Sequence, residues 1–215
     1  ETIGQGAFSG CSALEHVDDL YSLTRLEYDV FSHCVSLISV DCSDKLTAIG
    51  SSAFFGCKAL VSIGDLSNVT SIESSVFRGC IALKSIGNMP KLESIGMQCF
   101  MGCTALETVG DLSSLKEIPS ETFDGCTSLV SIGDLSNVTI IGSYGFNQCK
   151  KLTSIPNLGS LARVDQFAFS GCESLAFLGT LRNLTSFGYS PFINSPFYNS
   201  TNLVLQVLPD SAPEQ

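Results

Sequence analysis

The sequence predicts an α/β-type repeat solenoid, mostly strand and turn with little helix, and three regularities carry that prediction. Phenylalanine recurs every 23 residues, at Phe8, Phe31, Phe54, Phe77, Phe100, Phe123, Phe146, Phe169 and Phe192. Cysteine keeps the same beat three residues later, at Cys11, Cys34, Cys57, Cys80, Cys103, Cys126, Cys149 and Cys172. Between them apolar residues stand at every third position: from Cys57 they are Leu60, Ile63, Leu66, Val69, Ile72 and Phe77, and from Cys80 they are Leu83, Ile86, Met89, Leu92, Ile95 and Phe100. A spacing of three would suit a helix, but each unit carries Gly or Pro near its middle, as in SIGDL at 62–66 and SIPNL at 154–158. Such breakers exclude a long helix. What remains is a coil of short extended segments and turns, with every third side chain pointing inward and successive coils stacked to bury the columns together.

Strings such as LTAIGSSAFFGCKAL (46–60) and LARVDQFAFSGCESL (161–175) resemble the BspA-like, or Treponema pallidum type, leucine-rich repeats, whose unit reads approximately CxxLxxIxLxxxLxxIxxxAFxx. The resemblance covers residues 3–192, where period, AF pair, Cys and Leu/Ile columns recur together. It implies a right-handed superhelix with short parallel strands on its concave face. Two departures stand out. The site two residues after the first Ile is polar in most copies, as Asp65, Asn88, Asp111, Asp134 and Asn157, so the turn leaving that strand is expected to bulge. Only the second copy keeps a small apolar residue there, Cys42, while Cys99 replaces the Ala before Phe100.

Within that frame each element has a reason. Leu60 and Ile63 with their equivalents belong to the parallel strand, and the Val69/Ile72 column starts the opposite side of the coil. Phe54 and its equivalents form an aromatic spine, and Cys57 and its equivalents fill a tight corner that admits only a small side chain. Residues 1–195 read as the solenoid. After Phe192 the register breaks, with Phe197 five residues late, so 196–215 read as an irregular terminal repeat, with NLVLQVLP as a last strand and DSAPEQ as a polar tail.

Charge and composition remove several function classes. With 21 acidic against 11 basic residues the formal charge is −10, and no Lys/Arg cluster offers a footprint for nucleic acid. No apolar run approaches the roughly 18 to 20 residues that cross a bilayer, so direct membrane insertion is not expected. Glu1 is not followed by a basic and then apolar leader, so the chain reads as mature or trimmed. Eight of the ten cysteines share one repeat position, which places them in a column about 5 Å apart with parallel side chains, a poor geometry for disulfides and a good one for buried thiols.

Catalysis needs a unique nucleophile beside a base, whereas these thiols come in equivalent copies and the two imidazoles are His16 and His33. No catalytic, cofactor-binding or metal residue is assigned, and no cofactor is expected. Cys99 and Cys103 lack a second pair at zinc-finger spacing, and no phosphate-binding or dinucleotide loop occurs. The Asp65, Asp111, Asp134 column is read as turn caps in preference to a calcium site. Asn68, Asn137, Asn183 and Asn199 open Asn-x-Ser/Thr triplets, three of them at one repeat position.

The candidate binding residues are the positions just before each Ile, namely Ser39, Ser62, Ser85, Thr108, Ser131, Ser154 and Phe177, preceded by His16. Two residues later stand Asp18, Asp41, Gly64, Gly87, Gly110, Gly133, Pro156 and Gly179. Both columns are expected to face the concave side and leave it shallow and weakly charged. The resemblance implies a surface or secreted protein of host-associated microbes, so the expected function is a non-enzymatic binding module, extracellular or on the cell surface, that takes a host or matrix protein. A structural spacer is the alternative. A glycan is the third reading, disfavoured because Tyr21, Tyr28, Tyr144, Tyr189 and Tyr198 do not align in the sequence.

Overall fold

The computed structural model describes residues 3–197, and within them the chain winds into a parallel β-solenoid without a helix. Each coil contributes two short strands. The first lane consists of β1 (His16–Leu20), β3 (Ser39–Cys42), β5 (Ser62–Ile63), β7 (Ser85–Ile86), β9 (Thr108–Val109), β11 (Ser131–Ile132), β13 (Ser154–Ile155) and β15 (Phe177–Leu178). The second consists of β2 (Arg25–Leu26), β4 (Ala48–Ile49), β6 (Ser71–Ile72), β8 (Ser94–Ile95), β10 (Glu117–Ile118), β12 (Ile140–Ile141), β14 (Arg163–Val164) and β16 (Ser186–Phe187). The Val69/Ile72 side, expected only to begin an opposite wall, is therefore a parallel ladder of its own. All pairing is parallel and, apart from Leu20↔Cys42, keeps the sequence period, as in Ser85↔Thr108 and Ser71↔Ser94.

The expected bulge at the polar turns does not form. Where Gly-Asp or Gly-Asn follows the Ile, the strand simply stops after two residues, because Asp65, Asp111 and Asp134 turn the chain by accepting the backbone N–H two residues ahead, at Ser67, Ser113 and Ser136, at 2.8, 2.8 and 2.9 Å. The register slips instead between β1 and β3, where Val17 faces Val40 and Leu20 faces Cys42. β3 reaches Cys42 because that copy lacks the polar turn residue.

The core is the set of columns predicted from the period. Leu60, Leu66, Val69, Ile72 and Phe77 are buried, as are most of their equivalents in the inner coils, while Phe8 and Phe187 in the end coils are exposed. The phenylalanine rings lie 5.2–5.5 Å apart between centroids and within 14° of parallel from Phe8 to Phe192. Full burial of each ring contributes about 1.5–3 kcal/mol, and stacking adds roughly 0.5–1.5. Phe197 continues beyond the ladder, tilted at 51° against Phe192 with centroids 5.8 Å apart. The last strand and the polar tail expected from the sequence lie outside the described residues.

Backbone polar groups of each coil are satisfied in both directions. On the strand faces N–H groups donate to the preceding coil, as Val61 to Ile38 (2.9 Å) and Glu73 to Ile49 (2.9 Å). On the third, turn face they donate to the following coil, as Ser52 to Ser74 (3.0 Å), Phe54 to Val76 (3.0 Å) and Gly56 to Arg78 (2.8 Å). That turn face takes two left-handed residues per coil, for example Ser52 (φ 56°) and Gly56 (φ 70°), and the second explains why Gly precedes Cys in most copies.

The ladders are interrupted at three places, and prolines account for two. In the column after the strand, Gly96 and Gly142 donate to Ile72 and Ile118, but Pro119 between them has no N–H, so β8 and β10 do not pair. Pro156 separates β11 from β13 in the same way. The third gap, between β5 and β7, has Gly87 at the corresponding position.

Candidate binding face

The parallel register sets the seven candidate residues in one column along the first lane. His16 is level with Ser39 and Ser39 with Ser62, Ser85 with Thr108 and Thr108 with Ser131, and Ser154 with Phe177, while the two ladder gaps fall between Ser62 and Ser85 and between Ser131 and Ser154. Strand alternation turns their side chains away from the core, because the following Ile or Val points into it. Ser62, Ser85, Thr108, Ser131 and Phe177 are exposed, and Ser39 and Ser154 half-buried. His16 Nδ1 lies 2.9 Å from Ser39 Oγ, which occupies that hydroxyl. Beside the column, exposed Ile38, Val61 and Val130 precede Ser39, Ser62 and Ser131, and Phe177 is 50% exposed at one end. A depression of about 160 Å³ opens at Phe177, Leu178, Gly179 and Thr180.

The glycine column belongs elsewhere. A Cβ on Gly64 would lie 2.5 Å from Cys42 N, and one on Gly133 or Gly179 would overlap the carbonyl oxygens of Gly110 or Pro156. These three positions are aimed at the neighbouring coil and are glycine because the backbones touch, whereas Gly87 is exposed with nothing within 4 Å of a Cβ built on it, so the column is not a continuous open floor for a ligand. None of these contacts involves a positive φ; the constraint is space alone.

Thiol positions were predictable, but one of their bonds was not. Each buried ladder thiol donates to the carbonyl of the phenylalanine 26 residues earlier, from Cys34 to Phe8 O (3.0 Å) through Cys172 to Phe146 O (3.0 Å). Cys therefore fills the corner and satisfies a carbonyl there. All ten cysteines are free, and Cys11, the first of the column, is exposed where the others are buried. Burial pushes Cys57, Cys103 and Cys172 up to about 12, and raises Cys80, Cys126 and Cys149 strongly as well. Such thiols are not nucleophiles at neutral pH.

The acidic column does not form a shared carboxylate pair, since each Asp is spent on its own turn and Asn88 Oδ1 accepts the N–H of Asp111 at 3.0 Å. Among the described residues no three His, Cys, Asp or Glu side chains gather in a metal-ligating arrangement. The triplet asparagines are inter-coil bridges: Nδ2 of Asn68, Asn137 and Asn183 donates to Asp44, Ser113 and Gly159 carbonyls at 2.7, 2.8 and 2.6 Å. Asn199 lies outside the described residues. On the second lane Arg25 reaches across two coils to Glu73 (2.5 Å), which also accepts Ser51 N–H and O–H. The Arg25 and Ser51 bonds hold the Glu73 carboxyl below its usual range.

The comparisons with known proteins agree with this geometry. The chain is similar over its whole fold to a leucine-rich repeat protein from Eubacterium ventriosum (TM-score 0.67, 20% identity, 86% of this chain and 60% of that one). It is similar to the leucine-rich repeat protein of T. pallidum (TM-score 0.59, 25% identity, 89% and 81%) and to the pneumococcal vaccine antigen PcpA (TM-score 0.50, 15% identity, 81% and 52%). The chain thus spans well under two thirds of the Eubacterium and pneumococcal structures. Among curated proteins none is significantly similar in sequence. Six copies of the BspA type leucine rich repeat region match at residues 1–107 and 93–207, so the chain belongs to the BspA-type leucine-rich repeat family.

Proposed function

We propose that this chain is a non-enzymatic binding module of a surface or secreted protein, and that its first lane docks a host or matrix protein. The observation that carries the reading is the column from Ser39 to Phe177, whose hydroxyls, small enough for close approach, are flanked by exposed Ile38, Val61, Val130 and Phe177. Protein interfaces are anchored by apolar and above all aromatic side chains, which these residues supply beside the small hydroxyls. The thiols support a non-catalytic role, since burial keeps them protonated. A location outside the cell is supported by the resemblance to the pneumococcal antigen.

The test is a binding screen against arrayed host and matrix proteins, followed by titration of any hit with Ser85→Arg and Ser131→Arg. Saturable binding that both substitutions abolish supports the lane. Silence across the array, or binding indifferent to both, favours the second reading, a rigid spacer that presents another domain.

A further inference from the structure

The turn face of the last coils carries a feature that the first lane lacks. Tyr144 and Phe167, which do not look aligned with Tyr189 in the sequence, stand one above the other with ring centroids 5.1 Å apart and planes at 27°, and Tyr189 meets Phe167 edge-on at 5.5 Å and 80°. Unlike the buried rings of the phenylalanine spine, these rings keep part of their surface open to solvent. Tyr189 is 72% exposed, and Tyr144 and Phe167 are half-buried. The fold itself does not ask for these rings. Tyr144 and Phe167 have φ of 58° and 56°, a conformation that bulky side chains rarely adopt, and other coils fill the same position with Ser52, Ser75, Gln98, Glu121 or Ser190. Aromatic residues held at a strained position where serine serves elsewhere point to a task outside folding.

The geometry points to a carbohydrate platform on this strip, taking a short stretch of an uncharged oligosaccharide. Three side chains cover far less than the ~800 Å² per partner of a stable protein interface, but they match a ligand a few sugar rings long. The segments YGFNQ (144–148), QFAFS (166–170) and FGYSP (187–191) contain no charged residue, so nothing there neutralises a uronate or sialate, and the formal charge of −10 repels one. Exposed Gln166, whose backbone carbonyl accepts the N–H of Tyr144, supplies a neutral amide on this strip, a donor and acceptor of the kind that sugar hydroxyls need. This site is separate from the first lane, and it draws on two of the five tyrosines, Tyr144 and Tyr189, which meet through Phe167.

Affinity electrophoresis of the intact chain through native gels containing mixed-linkage β-glucan, α-mannan, amylopectin, β-galactan or polygalacturonate tests the assignment. At least one neutral polysaccharide is expected to retard the protein. Phe167→Ser and Tyr189→Ser should each weaken that retardation about tenfold or more. Serine occupies the equivalent positions at Ser75 and Ser143, so both variants fold, which a thermal melt checks. Ser85→Arg, on the first lane, should leave retardation unchanged. Migration unaffected by every neutral gel, retardation by polygalacturonate alone, retardation equal in the ring variants, or its loss in Ser85→Arg would each overturn the platform.

Discussion

Two joints between neighbouring coils share the same sequence pattern and behave differently. Where coil meets coil at Gly110 and Gly133, the backbones are in contact: Gly133 N donates to Val109 O at 2.9 Å, β9 pairs with β11, and Ile132 is buried. At Gly64 and Gly87 nothing lies within 4 Å of a Cβ built on Gly87, β5 and β7 do not pair, Lys84 N reaches Val61 O only at 3.4 Å, and Ile63 is half-buried where Val40, Ile86, Val109 and Ile132 are buried. Asn88 and Met89 have instead joined the following coil, through Asp111 N to Asn88 Oδ1 and Met89 N to Asp111 O. The ring stack crosses both joints alike, at 5.3 Å for Phe100–Phe123 and 5.5 Å for Phe54–Phe77. The core is thus continuous while the lane face varies from rung to rung, and a glycine at one repeat position is packed against its neighbour at one joint and open at the other.

The largest expected effect is common to both joints. The ladder thiols have folded pKa values raised to about 12 for Cys57, Cys103 and Cys172, against 9.0 ordinarily, so they ionise first in the unfolded chain. Their contribution is fully present below pH 9 and is lost as pH rises towards 12, by up to ~1.4 kcal/mol per unit for each thiol. A melting temperature that stays level from pH 8.5 to 11 under reducing conditions would contradict it. Next come Phe77→Ala and Phe123→Ala, one ring at each joint, expected to cost about 3–5 kcal/mol apiece in denaturant unfolding. If their costs differ greatly, the claim of a continuous core fails. Gly133→Ala should cost about 1–3 kcal/mol by overpacking against Gly110. Smallest is Gly87→Ala, predicted to be neutral or to stabilise by ~0.4–1 kcal/mol through the unfolded chain; a loss as large as that of Gly133→Ala would erase the contrast between the joints.

The period alone made the columns legible, because a 23-residue beat with inward positions at every third step leaves no other way to bury Phe, Cys and Leu together. It also placed the seven residues of the first lane on one line. What the sequence hid lies between coils. Gly87 and Gly133 share the string Ser-Ile-Gly and differ only from the next residue on, SIGNM against SIGDL, and the pattern does not say that the first backbone stands away from its neighbour. Cys57 reads as a small apolar residue until its thiol is seen on Phe31 O. Tyr144 and Phe167 share one step of the period, but Tyr189 falls one residue short of it, and its meeting with Phe167 depends on a turn whose left-handed residues no pattern of hydrophobicity reports. Pro119 and Pro156 were the exception, readable in advance as breakers, though their missing N–H groups cut the ladders and do not disturb the coil.

The opposed direction of amide donation on the strand and turn faces bears on how long such a molecule can grow. In a helix every peptide dipole points the same way and the ends accumulate partial charge. Here the two strand walls of the coil direct their amides backward and the turn wall forward, so their fields partly oppose along the axis. Adding a unit of this kind extends the rod with less charge gathered at its tips than a helix of equal length would carry, and leaves the lateral surfaces to be written by side chains.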